Sequence, residues 1–293
     1  MTGALTSDLR ARAERLLADF PYYAEHVLKI RSKAGGLVPL DLNRAQRIVH
    51  ARLEAQRHET GRVRALVLKA RQPGVSTYVE GRLFWQVTKR PGIQAFILTH
   101  AQQATDNLFG MAERFHQNLP EPLVLTTERA NAKELRFEGL DSGIMVSTAG
   151  AKGAGRAQTI HLFHGSEVGH WQDASSHMAG VMQAVPDAPG TEIILESTAN
   201  GIGGLFYDMC KAAERGGGDY ILIFVPWFWA DEYRTEPPEG WTAPGKFAAY
   251  GLAHDLTPAQ VHWAWRKNGE LAQACNASPD EICWLFRQEY PAT

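Results

Sequence analysis

A short stretch of small, basic and hydroxyl residues lies between an apolar run and an amphipathic run. It is Lys69–Thr77, with the sequence KARQPGVST, and it follows the apolar run Val63–Leu68. A strand, a tight loop and a helix in that order form the setting of a phosphate-binding loop, because backbone N–H groups at a helix N-terminus bind anions. The usual pattern G-x-x-x-x-G-K-[ST] is met only at Gly74 and Ser76, and Val75 stands where the lysine belongs. We predict a nucleotide-phosphate loop here, with an ordinary strand-to-helix turn as the alternative.

A second polar group follows a later apolar run, Thr159–Phe163. P-loop ATPases carry an acid just past a neighbouring strand to orient the attacking water, commonly preceded by an aspartate that helps to hold Mg²⁺. Glu167 fits the role of the acid, and Ser166 stands in the place of the aspartate. A hydroxyl can hold a metal-bound water but brings no charge, so we expect Mg²⁺ affinity to rest on Ser76 and the nucleotide phosphates. The alternative is a glutamate that starts a plain loop.

Two further stretches could act on a γ-phosphate. The glycine-rich loop 150–156 presents Arg156 as a candidate arginine finger, acting in its own subunit or in a neighbour's, or else it is a surface loop with incidental charge. Ser197, Thr198 and Asn200 follow another apolar run, and their small polar groups could sense the γ-phosphate. A plain turn would also explain the Asn-Gly pair that ends this stretch.

The elements that must position these groups alternate between strand and helix from Val63 onwards. Apolar runs separated by helical patterns indicate βαβ units, an α/β fold and a mostly parallel central sheet buried on both faces. Ligands of such sheets bind at the carboxyl ends of the strands. The predicted strands are Val63–Leu68, Ile93–Thr99, Leu135–Phe137, Gly143–Thr148, Thr159–Phe163, Glu192–Leu195 and Tyr220–Val225, and the main helices are Val75–Lys89, Ala101–Leu119 and Ser175–Ala184.

The chain divides into three predicted segments. Residues 1–60 are expected to be mostly helical, with Asn43 placed to cap a helix. Gln46, in that helix, is either a solvated residue or a contact to an adenine edge, since an amide both donates and accepts. Residues 61–228 form the predicted ATPase core, and residues 229–293 form a smaller lid or linker with two helical stretches.

The composition excludes several classes of protein. The formal net charge of −2 gives no global basic field, which argues against a stand-alone DNA-binding module. Three cysteines without C-x-x-C spacing disfavour a disulfide scaffold and a zinc site, and they indicate a reducing, cytosolic setting. The N-terminus lacks the apolar region of a signal peptide, and no window approaches the roughly 18 apolar residues of a membrane span.

Histidines and tryptophans are abundant around the predicted strand ends and in the last segment. The histidines lack the spacing and companions of zinc ligands, so we interpret them as polar loop residues. We interpret the tryptophans as packing residues rather than base-stacking platforms. The residues are His100, His161, His164, His170 and His177, and Trp171, Trp227, Trp229 and Trp241.

Taken in order, these motifs resemble the large terminase subunit of tailed bacteriophages. The matching stretches are LNRAQ at 42–46, KARQPGVST at 69–77, Arg156, SE at 166–167, STANG at 197–201 and FRQEYP at 286–291, which together extend over almost the whole chain. The resemblance implies a P-loop NTPase of the ASCE/RecA-like class, a three-layer sandwich with an N-terminal helical extension and a small C-terminal lid. It also implies ATP and Mg²⁺ as cofactors.

The resemblance carries roles onto individual residues, with the loop as the Walker A element and Ser166-Glu167 as the Walker B element. Because a lysine and an aspartate of the usual site are replaced, Arg71 or Lys69 is the hypothesised phosphate-facing cation. The implied roles are nucleotide binding by Gln46, Lys69, Arg71, Gln72, Gly74, Val75, Ser76 and Thr77, catalysis by Glu167, Arg156 and Arg71, coupling by Ser197, Thr198 and Asn200, and metal binding by Ser76 and, through water, Ser166.

The implied activity is packaging of double-stranded DNA into a procapsid by ATP hydrolysis. The implied partners are DNA, the portal protein, the small terminase subunit and further copies of the chain, in an about pentameric ring formed from a protein that is monomeric in isolation. Such a motor works in the host cytoplasm, transiently on the portal, and is absent from the mature virion. In the family the E-Y-P stretch leads into a nuclease, which is expected to be missing here. The alternatives are a helicase-like P-loop ATPase and a non-hydrolysing or weakly active nucleotide-binding assembly module.

Overall fold

The computed structural model describes residues 2–131, 133–150, 159–278 and 280–293. The chain forms two compact units. Unit 1 comprises residues up to Ala65 together with Gly74–Glu196, and unit 2 comprises Leu66–Pro73 and Ser197–Thr293. The three predicted segments, 1–60, 61–228 and 229–293, remain a prediction. Within the described ranges, no helix has the length and apolar character needed to cross a membrane.

The N-terminal segment is helical except for a short hairpin that the sequence pattern did not predict. Asp19 caps α2, and Pro21 lies in the first turn of that helix, where a missing N–H costs nothing. The two three-residue strands of the hairpin are joined through Gly35 and Gly36, both with positive φ. Strands this short show no usable period, which explains why they were missed. The elements are α1 (Thr2–Ala18), α2 (Phe20–Val27), β1 (Lys29–Arg31), β2 (Leu37–Pro39) and α3 (Arg44–Thr60).

An eight-stranded, mostly parallel sheet with flanking helices follows, which confirms the predicted α/β fold. Its strand order is β10-β3-β9-β8-β4-β7-β6-β5. Strand β4 pairs in parallel with β7 and β8, and β8 pairs in parallel with β9. Strand β6 pairs antiparallel with both β5 and β7. The elements are β3 (Val63–Lys69), α4 (Val75–Lys89), β4 (Gln94–Thr99), α5 (Gln102–Gln117), β5 (Thr127–Asn131), β6 (Glu134–Phe137), β7 (Ser142–Thr148), β8 (Leu162–Ser166), α6 (Ala174–Ala184), β9 (Glu192–Ser197), α7 (Leu205–Glu214) and β10 (Ile221–Val225).

The core of unit 1 forms where α4 covers the sheet. Phe84 of α4 lies 5.6 Å from Phe115 of α5 and 6.0 Å from Phe137 of β6, measured between ring centroids. All three rings are fully buried. Buried side chains extend along α4 from Val75 to Val87, so the helix packs into the core of unit 1 along most of its length.

Unit 2 has its own aromatic core, which confirms the packing interpretation for one tryptophan in particular. Trp227 is fully buried and stacks on Trp263 with ring centroids 4.9 Å apart, and Tyr233 stacks on the same Trp263 at 4.5 Å. Thr257 caps the longest helix of this unit with a capping box. Besides α7, the α-helices of this unit are α8 (Gly245–Ala253), α9 (Pro258–Cys275) and α10 (Trp284–Glu289).

Candidate nucleotide-binding site

The predicted phosphate loop ends at a helix N-terminus that lacks a side-chain cap. Gly74 is the N-cap residue of α4 and adopts the left-handed conformation, with φ of 78°. No side chain of the described residues caps this helix, so the N–H groups of its first turn, Val75 to Thr77, are not satisfied in that way. A row of such N–H groups, with the positive end of the helix dipole, is an anion-binding arrangement. The side chain of Val75 is 1% exposed, so this position can offer only its backbone.

The side chain of Gln46 connects α3 to the end of the loop. Its Oε1 accepts from the backbone N–H of Asn43 at 2.9 Å, and Asn43 Oδ1 accepts from the N–H of Gln46 at 2.9 Å, which forms a capping box on α3. Gln46 Nε2 donates to the carbonyl oxygen of Gly74 at 2.7 Å. The side chain is buried, so the interpretation as a solvated helix residue is wrong. The adenine contact stays a prediction.

Two hydroxyl groups converge on one carboxylate beside the first turn of α4. The Oγ atoms of Ser76 and Ser166 each donate to Oε1 of Glu196 at 2.8 Å. Ser166 ends β8 and is in register with Glu196 on the neighbouring strand β9, which places both groups at the carboxyl edge of the sheet. Glu196 is fully buried, and sequence reasoning missed it. The available signal was its place at the end of an apolar strand, directly before the STANG stretch.

A buried histidine connects this carboxylate to a second one. His164 Nδ1 lies 2.9 Å from Oε1 of Glu80, and its Nε2 lies 3.4 Å from Oε1 of Glu196. All three side chains are at most 1% exposed. Burial alone would lower the pKa of His164, but the neighbouring carboxylates of Glu196 and Glu80 outweigh burial and raise the pKa to about 9. The group therefore contains a buried imidazolium between two carboxyl groups.

The observed β8 corrects two expectations. The strand is Leu162–Ser166 rather than Thr159–Phe163, and His164 lies within it rather than in a polar loop. A charged residue in mid-strand interrupts the apolar pattern, and only its partners on α4 and β9 make its burial possible.

Glu167 follows β8 directly and has an unusual backbone. Its φ is 55°, in the left-handed region that favours glycine, and its side chain is half-buried. Strained backbone of this kind in a non-glycine residue is concentrated at functional sites. This residue lies just past the strand end, where the sequence predicts the water-orienting acid.

The remaining predicted residues of the loop and the coupling stretch belong to unit 2. Lys69 is buried at the end of β3, whereas Gln72 is exposed with φ of 52°. Ser197 and Thr198 are buried, and Asn200 is exposed.

Arg71 is held by the C-terminal FRQEYP stretch. Its guanidinium forms an ion pair with Glu289, its backbone N–H donates to the carbonyl oxygen of Glu289 at 2.9 Å, and its carbonyl accepts from the hydroxyl of Tyr233 at 2.7 Å. The side chain stays 60% exposed. The predicted finger Arg156 lies outside the described residues.

Magnesium fits the oxygen donors of unit 1. Mg²⁺ prefers hard oxygen ligands and keeps several waters. Ser76, Ser166 and Glu196 offer two hydroxyls and a carboxylate within one cluster. In the part of the chain that the structure describes, no group of three or more histidine, cysteine, aspartate or glutamate residues is arranged to hold a metal.

Comparison with solved structures identifies the fold. The HK97 bacteriophage large terminase aligns with a TM-score of 0.64 and 15% identity, over 94% of this chain and 55% of that chain. The large terminase ATPase domain of Thermus phage P74-26 aligns with a TM-score of 0.50 and 16% identity, over 85% and 92% of the two chains. The large terminase of a further, thermophilic bacteriophage aligns with a TM-score of 0.50 and 8% identity, over 62% and 45%.

The chain has the fold of a phage large terminase ATPase domain. It spans about half the length of the HK97 large terminase and nearly all of the P74-26 ATPase domain. No protein-family model matches the sequence, and no curated protein matches it significantly. The terminase fold therefore confirms the resemblance of the motifs at the level of architecture, and the site residues remain to be argued from their geometry.

Proposed function

We propose that this protein is the ATP-hydrolysing motor domain of a viral DNA-packaging terminase. The observation that carries the proposal is the convergence of Ser76 and Ser166 on Glu196 beside the uncapped N-terminus of α4. The pattern joins an anion-binding helix end to oxygen ligands for a cation, which is what a Mg²⁺–nucleotide complex requires.

In this proposal the first turn of α4 binds the phosphates through its backbone N–H groups. Ser76 Oγ would hold the cation, and Ser166 would hold it through a water. When bound, Mg²⁺ would neutralise charge that develops on the phosphates. Glu196, which lies beside His164, accepts from both hydroxyls and so positions them before a cation binds.

Glu167 orients the attacking water and accepts its proton. Glu167 follows directly on β8 and is half-buried, which agrees with the place of such an acid just past a strand end. Arg71 or Lys69 supplies the positive charge that a lysine at position 75 would provide. Arg156 stabilises the charge of the transition state as an arginine finger from the same or a neighbouring subunit. Ser197, Thr198 and Asn200 transmit the presence of the γ-phosphate.

The proposed work is translocation of double-stranded DNA into a procapsid in the host cytoplasm, by a ring of these chains on the portal with the small terminase subunit. It is tested by protection of DNA from nuclease after incubation with portal-bearing procapsids and ATP. Wild-type protein and Glu59→Gln, an exposed control at the end of α3, should both protect DNA. Glu167→Gln should not, and equal protection by Glu167→Gln would refute its role.

A non-hydrolysing nucleotide-binding assembly module is the second candidate. It is favoured by the burial of Val75, which stands at the head of α4 where a lysine would supply a cation. The two candidates differ in release of phosphate from ATP, which the module would not perform.

A further inference from the structure

Unit 1 contains a cavity of about 510 Å³ at the opposite end of α4 from the phosphate loop. The helix is Val75–Lys89, so at about 1.5 Å per residue the two ends are roughly 20 Å apart. The volume lies within the range of about 300–1,000 Å³ that is usual for small-ligand sites. The cavity is lined by residues of α1, α3 and α4 and by the start of β9.

The cavity lining is rich in cations. Arg57, Arg82, Lys89 and Arg90 all contribute to it. Two of them have carboxylate partners. Arg57 forms an ion pair with Glu54. Arg82 donates two hydrogen bonds of 2.7 and 2.8 Å to Glu192 and forms an ion pair with Glu54 at 2.6 Å.

The other two cations have no carboxylate partner among the described residues. Lys89 Nζ donates to the carbonyl oxygen of Leu17 at 2.9 Å and lies over the ring of Trp85. Arg90 Nη1 donates to Oε1 of Gln86 at 3.0 Å. In the described part of the chain, these two basic side chains therefore have no carboxylate counter-ion at the cavity.

Further observations point to a missing acceptor. The buried Nε2 of Gln86, another lining residue, finds no hydrogen-bond partner within the described ranges. A buried amide donor left without an acceptor costs free energy. Burial, followed by the neighbouring guanidinium groups of Arg82, Arg90 and Arg57, lowers the pKa of Lys89 to about 7. An anion in the cavity would accept a hydrogen bond from the amide of Gln86. Its charge would also reduce the repulsion between Lys89 and the guanidinium groups.

We propose that this cavity binds a phosphoryl group, carried by a nucleic-acid backbone or by a free oligophosphate. A phosphoryl group offers several strong acceptor oxygens, and its negative charge complements Arg90 and favours the protonated form of Lys89. Arg90 provides a planar fork suited to two of these oxygens, and Lys89 provides a point charge. The site is separate from the phosphate loop and does not depend on the proposed ATPase activity.

The test uses backbone amide NMR spectra of the ¹⁵N-labelled protein, with inorganic tripolyphosphate and a short DNA duplex as separate probes at matched ionic strength. Binding in the cavity should shift the amides of Arg90 and Gly190, whereas binding at the phosphate loop shifts those of Gly74–Thr77. A shift with tripolyphosphate alone identifies a free oligophosphate as the ligand. A shift with the duplex identifies a nucleic-acid backbone.

Matched charge-removing variants locate the interaction. Lys89→Gln and Arg90→Gln alter half-buried side chains and should each weaken the affinity at the cavity amides by about tenfold, the loss expected for one charge-assisted hydrogen bond. Arg52→Gln, an exposed residue of α3 outside the cavity, should leave it unchanged. The proposal is overturned if neither probe shifts the cavity amides, or if all three variants bind like the wild type.

Discussion

Replacing Glu196 by glutamine tests the buried group that organises the candidate site. The amide keeps the size of the side chain and an oxygen that can accept from Ser76 and Ser166, so the change removes charge more than shape. Hydrogen bonds to a charged group contribute about 1.5–3 kcal/mol and neutral ones about 1 kcal/mol. Two bonds of 2.8 Å are affected, so the free energy of unfolding should fall by about 2 kcal/mol.

The effect should depend on pH through His164. Because the folded-state pKa is raised to about 9 from 6.5, the stabilisation by its charge is fully present below pH 6.5 and is lost as the pH rises through 9. Glu196→Gln removes one of the two carboxylates that favour the charge. The stability difference between wild type and variant should therefore be largest near about pH 6 and should narrow by about pH 9.5.

Urea unfolding at several pH values measures this difference, provided that the slope with denaturant is unchanged. The control Glu59→Gln removes the same charge from an exposed position and should change stability by less than about 0.5 kcal/mol. Equal stability of wild type and Glu196→Gln at pH 6, or a difference that does not vary with pH, would refute the reasoning.

Four further substitutions test other parts of the account. Arg82→Met leaves the buried carboxylate of Glu192 without its cation and should lower the free energy of unfolding, measured by urea denaturation, by about 3–5 kcal/mol. A loss below about 1 kcal/mol would contradict the importance of the ion pair. Gly74→Ala places a Cβ atom 2.7 Å from Nε2 of Gln46 at a φ of +78°, so nucleotide affinity measured by calorimetry should fall, and unchanged affinity would argue against a role of this turn in binding. Arg71→Ala or Lys69→Ala should reduce ATP turnover, and the hypothesis of a substitute cation is wrong if both variants keep the wild-type rate.

Much of the fold could be predicted because its strands are apolar runs with clear boundaries. Helix α4 has the predicted bounds, Val75–Lys89, since its apolar pattern begins after a loop glycine. Asn43 was predicted as a cap and forms a capping box with Gln46. In both cases the decisive interactions lie within a few residues along the chain.

The polar centre of the site could not be predicted in the same way. Glu196 receives hydrogen bonds from residues 120 and 30 positions away, and His164 pairs with Glu80 across 84 positions. Buried charges of this kind depend on partners that only the folded sheet brings together. Sequence patterns therefore identified the loop and the strand ends, but not Glu196, the carboxylate that accepts from the hydroxyls of Ser76 and Ser166.

The most direct test of the central claim is release of phosphate from ATP with Mg²⁺ by the purified protein and by Glu167→Gln. We expect the wild type to release phosphate and the variant to bind ATP with similar affinity without releasing it. Release at the same rate by both proteins would contradict the proposed catalytic role of Glu167, and binding without release by the wild type, also in the presence of DNA and portal-bearing procapsids, would contradict the ATPase function itself.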